Sequence, residues 1–245
     1  MAPDRPLPDR ARDRATDRGH EAAEQVREKV RDVAEEVKPK LRGWLHAGTV
    51  PLALAAGIVL LALSPTVTTR VGSAIFAGTA LLLFAVSAVY HRGTWSPRAM
   101  AFLRRFDHSN IFLLIAGSYT PFTLILLKDP ERTALLAIVW TGAVLGVLFR
   151  IFWSHAPRWI YTPIYVALGW VAIFYAGDLG SGGPAVTTLL VVGGGLYTVG
   201  GLVYGLKKPD PFPTWFGFHE VFHTLTIAAF VCHYVAASIA TYSLR

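Results

Sequence analysis

The sequence has one cysteine, Cys232, in 245 residues, so an intrachain disulfide and a cysteine metal cluster are both excluded. Charge is scarce as well: only 16% of residues are Asp, Glu, Lys or Arg, and they are unevenly placed. Residues 1–43 hold 11 of the 23 basic and 10 of the 16 acidic residues, leaving 12 and 6 for everything that follows. Those first 43 residues contain no apolar run that could serve as the core of a signal peptide, so the first apolar segment is expected to stay in the protein as an anchor. No internal repeat is visible. The net charge of +7 is spread over short basic segments between apolar runs, a pattern that fits membrane orientation and argues against a nucleic-acid partner.

What remains is long hydrophobic stretches. About 20 residues at about 1.5 Å each cross a bilayer. Seven segments qualify: Trp44–Leu63, Val71–Tyr90, Ser109–Leu127, Thr133–Phe152, Trp159–Ala176, Ala185–Gly205 and Phe218–Tyr242. The expected fold is therefore all-α, a seven-transmembrane helix bundle over residues 44–245 preceded by a charged leader, residues 1–43. In the leader, Val26, Val30, Val33 and Val37 recur at helical spacing, which predicts an amphipathic helix that Pro39 closes.

Connections on the side of the amino terminus carry Arg92, Arg98, Arg104, Arg105, Arg150, Arg158, Lys207 and Lys208, against Arg70, Lys128, Arg132 and Arg245 opposite. The positive-inside rule then places the amino terminus in the cytoplasm and the carboxyl terminus outside, in a multi-pass protein of the plasma (inner) membrane. Trp44, Trp95, Trp153, Trp159 and Trp215 fall near the inner boundary, where an aromatic belt is expected. Pairs of glycines four apart, Gly142 with Gly146 and Gly201 with Gly205, predict close helix approach.

Ionisable groups at membrane depth are costly and need a reason. The second span ends with "SAVYH" (87–91), the third opens with "RFDHSN" (105–110), and the seventh opens with "FHEVFH" (218–223). All three reach the same leaflet. His219 and His223, four apart on one helix face and about 6 Å along its axis, can both address one ion, and His91 can add a third imidazole. Three imidazoles with an open fourth position suit catalytic zinc, although copper, iron and nickel also accept imidazole and a bis-histidine haem is a further possibility. Ser87, one turn before His91, can hold the imidazole or a water, or simply bond its own helix carbonyl. Asp107 can point into the site or act as the N-cap of the third span. His233, about 15 Å along the helix from His223, is too far to share the ion. His46 starts the first span on the same side and reads as an ordinary interfacial histidine.

These three motifs, in this order on three of seven helices, resemble the hemolysin III family, the bacterial branch of the progestin and adipoQ receptors. The resemblance covers about residues 44–242. It implies a seven-helix fold, zinc held by His91, His219 and His223, a water held by Asp107 with Ser87 nearby, and membrane lipid as the partner. Receptor relatives and the related alkaline ceramidases imply hydrolysis of a lipid amide. The alternative is a non-enzymatic sensor, channel or cytolytic protein with a structural zinc. "HEVFH" also fits the metalloprotease pattern, with Glu220 as base, but no later span supplies an acidic third ligand.

Overall fold

The computed structural model describes residues 39–153 and 155–245. The valine stripe expected in the leader lies outside the described residues. Seven helices are long and apolar enough to cross a membrane: α1 (Trp44–Ala62), α2 (Val67–Arg92), α3 (Pro97–Leu126), α4 (Glu131–Phe152), α5 (Arg158–Gly180), α6 (Pro184–Leu206) and α7 (Phe218–Tyr242). Among the described residues there is no strand, only an isolated bridge between Phe212 and Phe216. The chain is a multi-pass, all-helical membrane protein. Its large apolar side chains also face outward: Ile138, Leu145, Leu148 and Ile151 of α4 are all exposed, a surface that suits lipid.

Local chemistry explains where the helices begin. Thr66 caps α2, accepting from the Thr69 amide while the Thr69 hydroxyl accepts from the Thr66 amide. Ser96 caps α3 with Pro97 at its first position. With 30 residues, α3 is about 45 Å long, well beyond the thickness of the hydrocarbon core. Its start therefore lies before the apolar run, and Asp107 falls in its third turn. The reading of Asp107 as an N-cap is corrected accordingly: a residue inside the helix has no free amides of a first turn to accept from.

The fifth span also departs from a plain helix. It is α-helical at Arg158–Gly169 and Ala176–Gly180, with a 3-10 segment, Trp170–Tyr175, between them. Tyr119 of α3 secures this break: its hydroxyl donates to the Gly169 carbonyl (2.6 Å) and accepts from the Ala172 amide (2.7 Å). Irregular backbone at membrane depth persists only where other groups satisfy it.

The buried core includes Phe76 and Phe84 of α2, Phe112 of α3, Leu135 and Val139 of α4, and Phe230 of α7. Gly146 of α4 lies so close to the Phe112 ring that a side chain there would overlap it, and Gly201 and Gly205 of α6 face Thr162 of α5. These are the close approaches that the glycine spacing predicts. The starts of α1, α3, α5 and α7 and the ends of α2, α4 and α6 share one side of the bundle, where Arg92 stacks on Trp44 and Arg158 on Phe218.

Candidate metal centre

On that side, α2 brings His91 at its last turn and α7 brings His219 and His223 at its first two. Each of the three can offer a ring nitrogen such that all three atoms lie within 4.8 Å of one another, and all three residues are buried. The Nε2 atoms of His91 and His219 are 3.1 Å apart. Two imidazole nitrogens on one tetrahedral ion, at about 2.05 Å each, are separated by roughly 3.3 Å, so this pair already stands near the spacing of ligands. Without an ion, one ring must donate its proton to the other. His223 Nδ1 is buried without a hydrogen-bond partner, which is costly for an imidazole nitrogen. The donor set thus fits a metal ion.

Asp107 reaches the cluster from α3, with Oδ2 3.7 Å from His91 Nε2 and its side chain only 11% exposed. The Ser87 hydroxyl interacts with the Asp107 carboxyl group. Ser118 and Thr120, in contrast, bond back to carbonyls of their own helix at 2.5 and 2.8 Å. Of the five residues expected at the site from sequence, the fold brings all five together.

Two further histidines stand beside the cluster. His46 of α1 stacks on His223, with ring centroids 3.7 Å apart and planes within 8°. Sequence reasoning placed it on the correct side but gave no reason for contact, because the contact depends on how α1 and α7 cross. His108, next to Asp107, lines the same cavity with both ring nitrogens engaged by other groups: Arg150 donates to Nδ1 (3.2 Å), so Nε2 carries the proton and donates to the Tyr204 hydroxyl (3.1 Å). Tyr204 in turn meets the Tyr161 hydroxyl at 3.2 Å. His233 packs against Tyr197 and Phe122, apart from the cluster.

Glu220, between the two α7 ligands, is fully buried and engaged on both oxygens. Arg42 donates to Oε1 (2.5 Å) and the Gly217 amide to Oε2 (2.9 Å). It does not line the cavity beside the histidines.

That cavity, about 310 Å³, has His46, Ser87, Asp107, His219 and His223 at one end and Leu179, Thr187 and Leu190 toward the other. Its walls are mainly apolar. Trp170, Ile173 and Val191 also line it and are 49%, 59% and 69% exposed, so it reaches the lipid-facing surface between α5 and α6.

The profile of the family described as haemolysin-III related matches residues 35–234, a range that contains every residue of the cluster. The chain belongs to that family. It is 35% identical over 148 residues to Hemolysin-3 of Bacillus cereus, covering 58% of this chain and 65% of that one, just under two thirds of its length. With the Hemolysin-3 homolog of Bacillus subtilis (strain 168) it shares 36% identity over 167 residues, 64% of this chain and 73% of the relative. A more distant similarity, 25% over 189 residues, joins it to Progestin and adipoQ receptor-like protein 1 of Caenorhabditis elegans, of which it covers 42%. In this haemolysin-III related chain the motifs that suggested the family are the same ones that converge in space.

Proposed function

We propose that this protein is a zinc-dependent hydrolase that cleaves a lipid amide or a related acyl lipid inside the membrane. The observation that supports this best is the meeting of a carboxylate, a three-histidine cluster and an apolar cavity that opens toward lipid. His91, His219 and His223 would hold the ion, which when bound supplies a Lewis acid for the scissile carbonyl and for an attacking water. Asp107 orients that water, takes its proton and relays it to the leaving amine or alcohol, and Ser87 fixes the carboxyl group that does so. The apolar walls take the acyl chain and exclude bulk water from the carbonyl. Orientation belongs to the same proposal: ten described basic residues lie on the cluster's side, Lys40 and Arg42 included, and four lie opposite, a bias that supports a site at the cytoplasmic leaflet of the plasma membrane.

A peptidase of the "HEVFH" type is disfavoured because Glu220, its required base, is held by Arg42 and the Gly217 amide. A second reading has its own support: the ligands come from α2 and α7, so an ion held there can clamp two helices without turning anything over. Purified protein incubated with total lipid extract, with and without chelator, separates these readings through released fatty acid. Asp107→Asn should keep the metal and lower release by about 100-fold. A wild type that releases nothing, while metal removal lowers its melting temperature, would leave the clamp in place of the enzyme.

A further inference from the structure

The three candidate ligands, Ser87 and Asp107 all lie on α2, α3 or α7, yet the segment Lys40–Gly43 and the first turn of α1 pack against His91, His223 and the start of α7. Lys40 and Leu41 donate backbone hydrogen bonds to the Thr214 and Trp215 carbonyls, at 3.1 and 3.2 Å, just before α7. Arg42 then pairs with Glu220, the residue after His219, whose other oxygen closes the first turn of α7. Gly43 follows with φ 79°, and a Cβ placed on it would stand 2.8 Å from the His91 Cβ, so glycine is required there both for conformation and for room. Finally His46 lies face to face with His223 and edge-on to Phe84 at 5.1 Å.

We propose that Arg42, His46 and Glu220 are positioning residues that hold the metal-ligating imidazoles in place. The physical need is specific. His219 sits in the first turn of α7, where free amides let a helix fray unless a side chain satisfies them. Glu220 accepts from the Gly217 amide, beside Asp210 on the Phe218 amide, and is itself fixed by Arg42. The His223 ring can rotate about its last side-chain torsion, and a parallel ring at 3.7 Å leaves it one plane. Groups that orient ligands without binding the ion commonly contribute 10- to 100-fold in metal affinity.

This inference rests on the reading of His91, His219 and His223 as ligands, and the test separates the two. The dissociation constant for zinc is measured on the purified full chain by competition with a chromophoric chelator, and geometry is followed by the visible absorption of the cobalt-loaded protein. His46→Ala should weaken zinc binding by about 10-fold or more and alter the cobalt spectrum, and His46→Phe, which keeps a ring over His223, should restore both. Glu220→Gln should weaken zinc binding on the same scale. Metal-free melting curves identify variants that fold; if Glu220→Gln does not, the His46 pair decides alone. Folded His46→Ala and Glu220→Gln proteins with wild-type affinity and spectrum would overturn the proposal. Loss of the metal in both His46 variants would also overturn it, because it would make His46 a ligand. A wild type that binds no metal would instead refute the ligand set on which the proposal stands.

Discussion

Replacing Tyr119 by Phe removes one oxygen atom and leaves the ring in the core, so its effect isolates the hydroxyl that secures the break in α5. That hydroxyl donates to the Gly169 carbonyl at 2.6 Å and accepts from the Ala172 amide at 2.7 Å. Each bond contributes about 0.5–1.5 kcal/mol net, so the pair amounts to about 1–3 kcal/mol. The upper part of the range applies because a 3-10 turn has poorer internal geometry than an α-helix and because lipid offers the freed groups no replacement. Equilibrium unfolding of the metal-free protein in detergent measures the total, and amide hydrogen exchange across Trp170–Tyr175 locates it. Exchange there should rise more than in α2 or α7, whose bonds Tyr119 does not touch. Because Trp170 and Ile173 line the lateral opening of the cavity, a looser segment should also speed entry of a fluorescent fatty-acyl probe. A loss below about 0.5 kcal/mol with unchanged exchange would refute the reasoning and assign the 3-10 turn to the local sequence of α5.

Three further outcomes are expected. His91→Ala, His219→Ala and His223→Ala should each lose most of one bound metal per chain by elemental analysis, whereas His233→Ala should retain it. In the Arg42–Glu220 pair, removing the more exposed partner should cost more: Arg42→Ala strands a carboxylate that is 1% exposed, about 3–5 kcal/mol, whereas Glu220→Gln leaves a guanidinium that is 19% exposed and can turn toward water, about 1.5–3 kcal/mol. Thermal melting of the two metal-free variants gives the order, and a more stable Arg42→Ala would contradict it. A reporter enzyme fused after Arg245 should be active only outside the cytoplasm; activity inside would reverse the proposed orientation.

Hydropathy alone locates all seven spans, because a bilayer demands apolar length and the sequence supplies it seven times. It misplaces ends wherever a helix continues beyond the hydrocarbon. The third segment, read as Ser109–Leu127, begins at Pro97: Arg98, Arg104, Arg105 and Asp107 lower the local hydropathy without stopping the helix. The local signal for the true start is Ser96 before Pro97, a capping pattern that contributes nothing to hydropathy. Nothing local marks the 3-10 segment in α5, since its partner, Tyr119, is about 50 residues away in sequence. The convergence of His91, Asp107, His219 and His223 was legible because helix direction alternates from span to span and sends all four to one side. His46 travels to that side by the same logic. Its contact with His223 also requires a particular crossing of α1 and α7, which side-of-membrane reasoning does not contain.

"HEVFH" shows where a motif stops being informative. On a helix the two histidines share a face, and Glu220 stands one residue, about 100°, around from His219. That rotation is compatible with a glutamate that serves the ion and with one that faces a neighbouring helix. The pentapeptide is identical in both cases, so the choice rests on what the fold places beside the glutamate. Here the neighbour is Arg42, and both carboxylate oxygens are occupied. The carboxylate that faces the cavity comes from α3, more than 100 residues earlier, and Ser87 of α2 faces it. A zinc site that only held helices together would be expected to close with a fourth protein ligand. Instead, His219, His223 and Asp107 border an apolar cavity that reaches the lipid-facing surface, and this arrangement makes Asp107→Asn, rather than any change at Glu220, the substitution that distinguishes chemistry from clamping.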